Sequence, residues 1–187
     1  MHYDLTDASI KDRFDHLFSV ISGDRFLKMQ GLGKEVPFFI CPFNPKYSND
    51  MEVLQRNLIS KLDQKNITVL DVNLYDLTVD ILKSEGDWEW ILENESSMLK
   101  SELQGELQSI LDVEEELIPA INKAMKGGDF EVMFISGVGG VFPYIRSHNI
   151  LNNLQKIARN KPTVMFFPGE YSHSQEGGAS LNLFGKL

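Results

Sequence analysis

Apolar positions along the 187 residues follow two rhythms, one helical and one of short continuous runs. Ile10, Phe14, Leu17, Phe18 and Ile21 recur at helical spacing and predict an N-terminal helix stopped by Gly23. Val36–Cys41 is a compact run, Val-Pro-Phe-Phe-Ile-Cys, suited to a buried strand with Pro37 tolerated near its start. Pro42–Asn49 reads as a loop, and Asp50 as the cap of a helix with the stripe Met51, Leu54, Leu58 and Leu62. Ile67–Val72, rich in β-branched residues, is the second strand. Strand, helix and strand over about 35 residues make a unit of βαβ size, which argues for a parallel sheet.

From Leu74 to Met125 the pattern is helical throughout, with Trp88 and Trp90 in its middle and leucines at 99, 103, 107 and 111. Asp112 and Glu115 form a capping box for a helix burying Leu117, Ile118 and Ile121, and Pro119 predicts a break or kink nearby. Gly127-Gly128 ends this region. Phe130–Ser136 is the third strand. Gly137-Val-Gly-Gly140 then turns into a helix, with Pro143 in its first turn, that runs to about Arg159. Thr163–Phe167 is a fourth strand and Ser180–Phe184 a candidate fifth. The expectation is one α/β domain over residues 1–187. Its small, mostly parallel sheet of about four or five strands is flanked by helices, with a helical insertion at about 74–126 between strands two and three.

Composition narrows the class. Apolar residues make up 42% and charged residues 24%, which suits a globular chain and excludes disorder as the main state. No apolar run approaches the roughly 18 residues of a membrane helix. The start Met1-His2-Tyr3-Asp4 lacks the features of a signal peptide. A single cysteine, Cys41, excludes an internal disulfide framework and a cysteine-rich zinc site. A cytoplasmic protein that makes no membrane contact is expected.

Charge adds a finer distinction. The net charge is −9, yet Glu85–Glu116 alone carries eleven acids against Lys100. The rest of the chain is close to neutral, so the insertion holds the acidity. Between Val132 and Gly169 there is no acid, while Arg146, Lys156, Arg159 and Lys161 are present. These two segments of opposite character can face each other or each face a partner.

The glycine-rich turn offers a candidate ligand edge at Ser136, Gly137, Gly139 and Gly140, with Glu170 from the fourth strand. It fits neither standard phosphate motif: there is no Lys followed by Ser or Thr, and position 142 is Phe. A tight turn needing glycine conformations is the better reading, and no nucleotide hydrolysis is expected. The following helix sets Arg146, Asn149, Asn153, Lys156 and Asn160 opposite Ile150, Leu151, Leu154 and Ile157. Its first turn, with Tyr144, Arg146 and His148, lies by the carboxyl ends of the strands, where open α/β sheets bind ligands. Trp88, Tyr144, Arg146, His148, Asn149, Asn153 and Lys156 are therefore the candidate partner-binding residues.

Cys41, Asn44, Asp71, Asn73, Ser136 and Glu170 are expected at the same edge. Cys41, His148 and Glu170 are the residues from which a catalytic set could be assembled, although Cys41 suits a buried strand end better. The scattered histidines show no metal-ligand spacing, and there is no Gly-x-Ser-x-Gly elbow. No catalytic residue, metal or cofactor is expected. A sequence pI of about 4.9 disfavours direct nucleic-acid binding, for which the 142–161 helix is the candidate surface.

Several stretches resemble a known family. They are Arg13-Phe-Asp-His-Leu17, Val36-Pro-Phe-Phe-Ile-Cys-Pro42, Asn73-Leu-Tyr-Asp-Leu77, Phe142-Pro-Tyr-Ile-Arg-Ser-His-Asn-Ile-Leu-Asn-Asn-Leu154, Lys161-Pro-Thr-Val-Met-Phe-Phe-Pro-Gly-Glu-Tyr171 and Gly178-Ala-Ser-Leu-Asn-Leu-Phe-Gly185. Together they look like the BrxB family, from about Arg13 onward. The resemblance implies a component of a BREX bacteriophage-exclusion system. Such systems methylate host DNA and block phage replication, and they encode an AAA+ ATPase, a methyltransferase and PglZ, an alkaline-phosphatase-superfamily protein. It implies no catalytic residues. It implies a partner class, with the PglZ-like protein favoured and other BREX components as further partners; as the residues show no P-loop, triad or metal motif, the leading reading is a non-enzymatic interaction subunit. The resemblance also implies a somewhat longer C-terminus than the one ending just after Phe184-Gly185. The alternative is an accessory subunit that binds nucleotide or nucleic acid through the glycine-rich turn and the helix after it.

Overall fold

Side chains alternate across a strand, so each strand here sends apolar groups to both faces of the sheet and both faces must be covered. The computed structural model describes residues 9–30, 37–174 and 178–183. Four strands are parallel: β1 (Phe38–Phe43), β2 (Val69–Asn73), β3 (Val132–Ser136) and the first half of β4 (Thr163–Ser174). Their order is β1-β4-β3-β2. Val132, Phe134, Val164, Phe166, Cys41 and Phe43 pack on one face with α1 (Ile10–Ile21), α2 (Asp24–Leu27) and α3 (Ser48–Asp63). Met133, Ile135, Met165, Phe167 and Val72 pack on the other. That second face is covered by α4 (Leu74–Glu85), α5 (Asp87–Asn94), α6 (Lys100–Ile110), α7 (Ile118–Lys126) and α8 (Ser147–Ile157). The result is a three-layer α/β/α sandwich, the expected fold class.

Topology adds what periodicity cannot show. β1 and β2, joined by α3, are not neighbours; they form opposite edges with β4 and β3 between them. The βαβ reading was right about direction, and the connection spans the sheet. β4 outruns its predicted end at Phe167 and continues to Ser174, where its second half pairs antiparallel with β5 (Gly178–Leu183). Val36, the expected start of the first strand, lies outside the described residues, as does Phe184, the expected end of the fifth. Pro42 and Phe43, read as loop, belong to β1, since the Pro42 pairing with Phe167 continues the parallel register.

Three helix boundaries also differ. Asp50 sits in the first turn of α3 rather than at its cap; the cap position is Tyr47, preceded by a 3-10 turn at Pro45–Tyr47 that Asn44 closes by accepting from the Lys46 N–H at 3.1 Å. The 74–126 region is not one helix. Gly86, at φ 86°, ends α4, and a second interruption precedes Lys100. A π-helical turn at Val113–Leu117 leads into α7 with Pro119 in its first turn, the break that proline predicted. Asp112 caps the π turn by accepting from the Glu114 and Glu115 N–H groups at 2.8 and 2.9 Å.

The third correction affects function. The glycine turn does not open a helix. Residues 138–144 form successive turns through a cis Phe142–Pro143 peptide, and α8 starts only at Ser147. Pro143 therefore lies ahead of α8, not in its first turn, and α8 ends at Ile157 rather than near Arg159.

Candidate functional site

The register of β2 on β3 sets Asn73 beside Ser136 and so brings the glycine turn against the start of α4. Asn73 caps α4, accepting from Tyr75 N–H at 3.0 Å and Asp76 N–H at 3.4 Å. Gly137 has φ 71°, and a Cβ there would collide with the Asn73 side chain. A Cβ on Gly140 would come within 3.3 Å of the Tyr75 ring. Close packing and backbone conformation thus account for these two glycines. No helix follows the turn directly, and the neighbouring N-terminus of α4 is already capped by Asn73, so the turn differs from the loop-to-helix arrangement that holds phosphate.

Ser136, Gly137, Gly139 and Gly140 do line a pocket of about 190 Å³, with Phe43 and Phe166 from the sheet and Ser48, Met51, Glu52 and Gln55 from α3. Glu170 is exposed on the extension of β4 and does not line this pocket. Gln55, itself buried, donates to Asp71 Oδ1 at 2.6 Å. Desolvation raises the Asp71 pKa, and the Gln55 hydrogen bond works against that rise.

A larger feature lies on the other face, between the insertion and α8. It is a cleft of about 630 Å³. One wall is Gln108 and Leu111 at the end of α6, then Asp112, Val113 and Glu114 of the π turn. The other is Tyr144, Arg146, Asn149, Asn152, Asn153 and Lys156. The acidic insertion and the Asn/Arg/Lys helix face therefore meet across one cavity. Lys156 Nζ approaches Glu114 Oε1 at 3.8 Å and donates to Asn153 Oδ1 at 2.6 Å. Asn153, nearly buried, donates in turn to the Asn149 carbonyl at 3.1 Å.

Tyr144 closes the end nearest the glycine turn. Its hydroxyl donates to the Gly140 carbonyl at 3.1 Å. Burial raises its pKa above the ordinary tyrosine value; a hydrogen bond with Thr78 opposes the shift, and the neighbouring Tyr75 adds to it. Tyr75 is 47% exposed and packs on Gly140 next to Tyr144, outside the cleft lining. Sequence reasoning missed Tyr75, whose place beside Tyr144 depends on the pairing of β2 with β3.

Five of the candidate partner-binding residues converge here: Tyr144, Arg146, Asn149, Asn153 and Lys156. His148 is exposed on α8 outside the lining, and Asn160 lies beyond the helix end. Trp88 is half-buried against the core, with Lys83 Nζ 5.4 Å from its ring centroid, and Trp90 is the exposed one of the two. Cys41, His148 and Glu170 are not brought together. Cys41 is buried on the α1–α3 face, across the sheet from α8, and burial pushes its thiol up to about 11 despite the nearby Arg13. Among the described residues, no group of three or more His, Cys, Asp or Glu could hold a metal ion. No described helix is long and apolar enough to cross a membrane.

A family model described as BREX protein BrxB matches residues 70–187, well over half the chain. The chain belongs to the BrxB family. The BrxB match runs from β2 onward and takes in both walls of the cleft. One relative, a BREX protein BrxB from Bacillus cereus (strain H3081.97), is 31% identical over 186 residues, covering 95% of this chain and 91% of its own. Another, the BREX protein BrxB of Escherichia coli O9:H4 (strain HS), is 26% identical over 172 residues, covering 90% and 83%. No solved structure matches the chain significantly. Membership of the BrxB family agrees with the resemblance carried by the motifs and supports a role in BREX phage defence.

Proposed function

We propose that this protein is a non-enzymatic docking subunit of a BREX anti-phage system, binding the PglZ-like protein of that system through the cleft between the insertion and α8. The observation that carries the reading is the meeting of both charged surfaces in one solvent-open cavity that Tyr144 helps to line. Aromatic residues beside polar, charge-bearing walls are typical of interface anchors and their rim. The PglZ-like partner comes from the family resemblance. A cytoplasmic location goes with it.

The same cavity argues against nucleic acid. Asp112 and Glu114 stand opposite Arg146 and Lys156, so a polyanion entering the cleft meets carboxylates as well as cations. The nucleotide alternative loses its main support because α8 does not start at the glycine turn.

The experiment is calorimetry or pull-down between the two purified, full-length proteins at moderate salt, alongside tagged purification from cells expressing the whole system. A complex at micromolar concentration is expected. Tyr144→Ala should weaken it by about 2 kcal/mol, roughly thirty-fold. No complex at micromolar concentration, with both proteins folded, contradicts the reading.

A further inference from the structure

We propose that the cleft seats an extended segment of the partner bearing one carboxylate, with that carboxylate on Arg146 and the segment's main chain on the carboxamides of Gln108, Asn149 and Asn152. This rests on the reading of the cleft as the docking site and adds what the site recognises.

The charges lining the cleft do not all remain free. Lys156 and Glu114 face each other at 3.8 Å. Asp112 is engaged by two backbone N–H groups of the π turn. Arg146 is exposed at the cap position of α8 and has no ion-pair partner among the described residues. One cation is left, and a carboxylate matches the planar fork of its guanidinium.

The carboxamides point to a peptide. Asn153 is already bonded to Asn149 and Lys156. The side-chain amides of Gln108, Asn149 and Asn152 make no hydrogen bond within the described protein, and all three line the cleft. A carboxamide offers a donor and an acceptor side by side, the complement of a peptide unit. From Arg146 to Lys156 the helix advances ten positions, about 15 Å at ~1.5 Å per residue. That is the span of roughly four or five extended residues.

Two other occupants fit less well. A run of acids meets the Asp112–Glu114 wall and the net charge of −9. A wholly apolar segment would leave the three amides and Arg146 desolvated without partners. The preferred segment has a single carboxylate and neutral or basic neighbours towards the π turn. Its carboxylate can be an Asp or Glu side chain or a chain terminus, which share the same chemistry.

The test is amide chemical-shift mapping on the isotope-labelled full chain with three probes. They are a blocked pentapeptide with a central glutamate, its glutamine analogue, and an all-alanine pentapeptide with a free C-terminal carboxylate. A segment this short should bind with a Kd on the order of 1 mM. The expected result is shifts along residues 144–156 and 108–114 from a carboxylate-bearing probe, at least tenfold weaker with the glutamine analogue and with Arg146→Glu. The response to the glutamate probe against that to the terminal carboxylate identifies the source. Asn149→Ala combined with Asn152→Ala should weaken binding at least threefold while leaving the Arg146 dependence. Equal response to the glutamine analogue, shifts confined to another surface, or no response to any probe overturns the inference. A complex with the PglZ-like protein unaffected by Arg146→Glu also overturns it while leaving docking intact. A carboxylate-dependent response without that complex supports the site chemistry and removes the partner.

Discussion

Gly86 and Gly137 are both left-handed, at φ 86° and 71°, for different reasons. Nothing lies within 4 Å of a Cβ built on Gly86, so Gly86→Ala should cost about 1 kcal/mol, the backbone penalty alone. Gly137→Ala adds a collision with Asn73 and thereby disturbs the α4 cap, so its cost should reach about 2–3 kcal/mol. Urea denaturation of the two variants measures the difference; equal losses would contradict this packing. Cys41 allows a second prediction. Its thiol is raised from 9.0 to about 11 by burial, so the unfolded chain loses this proton first. Stability from this group is complete below pH 9 and falls as pH rises towards 11, by about 3 kcal/mol at most. Cys41→Ser should flatten that part of the stability profile, and the native wild-type thiol should resist a thiol reagent at pH 8. That glycine suited the turn was legible in the sequence, because it tolerates such conformations. That Asn73 packs against Gly137 was not, because the contact exists only once β2 is registered on β3.

At the level of elements, the π turn shapes one wall of the cleft. Asp112→Ala removes an acceptor for two N–H groups and should cost about 1 kcal/mol, read by thermal or urea unfolding. Glu114→Gln breaks an ion pair whose partners are 63% and 70% exposed, and should change stability by less than about 0.5 kcal/mol. A loss comparable to that of Asp112→Ala would show that the pair ties the two walls together. The four parallel strands were legible, most plainly β3 and the first half of β4, whose runs of Val, Ile, Phe and Met are buried on both faces. The sequence also showed the break at Pro119 and the capping role of Asp112. It did not show that the leucines at 99, 103, 107 and 111 do not form one stripe. Leu99 precedes the first residue of α6 and is 66% exposed, whereas Leu111 is buried. A four-residue repeat fixes neither where a helix starts nor which turn faces the core.

Over the whole molecule, the decisive fact is that α4 to α8 share one face of the sheet. This placement turns two charged segments, separated by about 30 residues of chain, into the facing walls of one cleft. The opposite charges were readable from composition, but their meeting depends on strand order and on α8 starting three residues after Tyr144. Pairing of distant strands leaves no local trace in the sequence. The most direct test is hydrogen–deuterium exchange of the protein with and without the PglZ-like protein of its BREX system, the proposed partner. The account predicts added protection at residues 108–114 and 144–156, with α1 and α3 unchanged. Protection confined to the α1–α3 face, with the cleft exchanging as in the free protein, would contradict it.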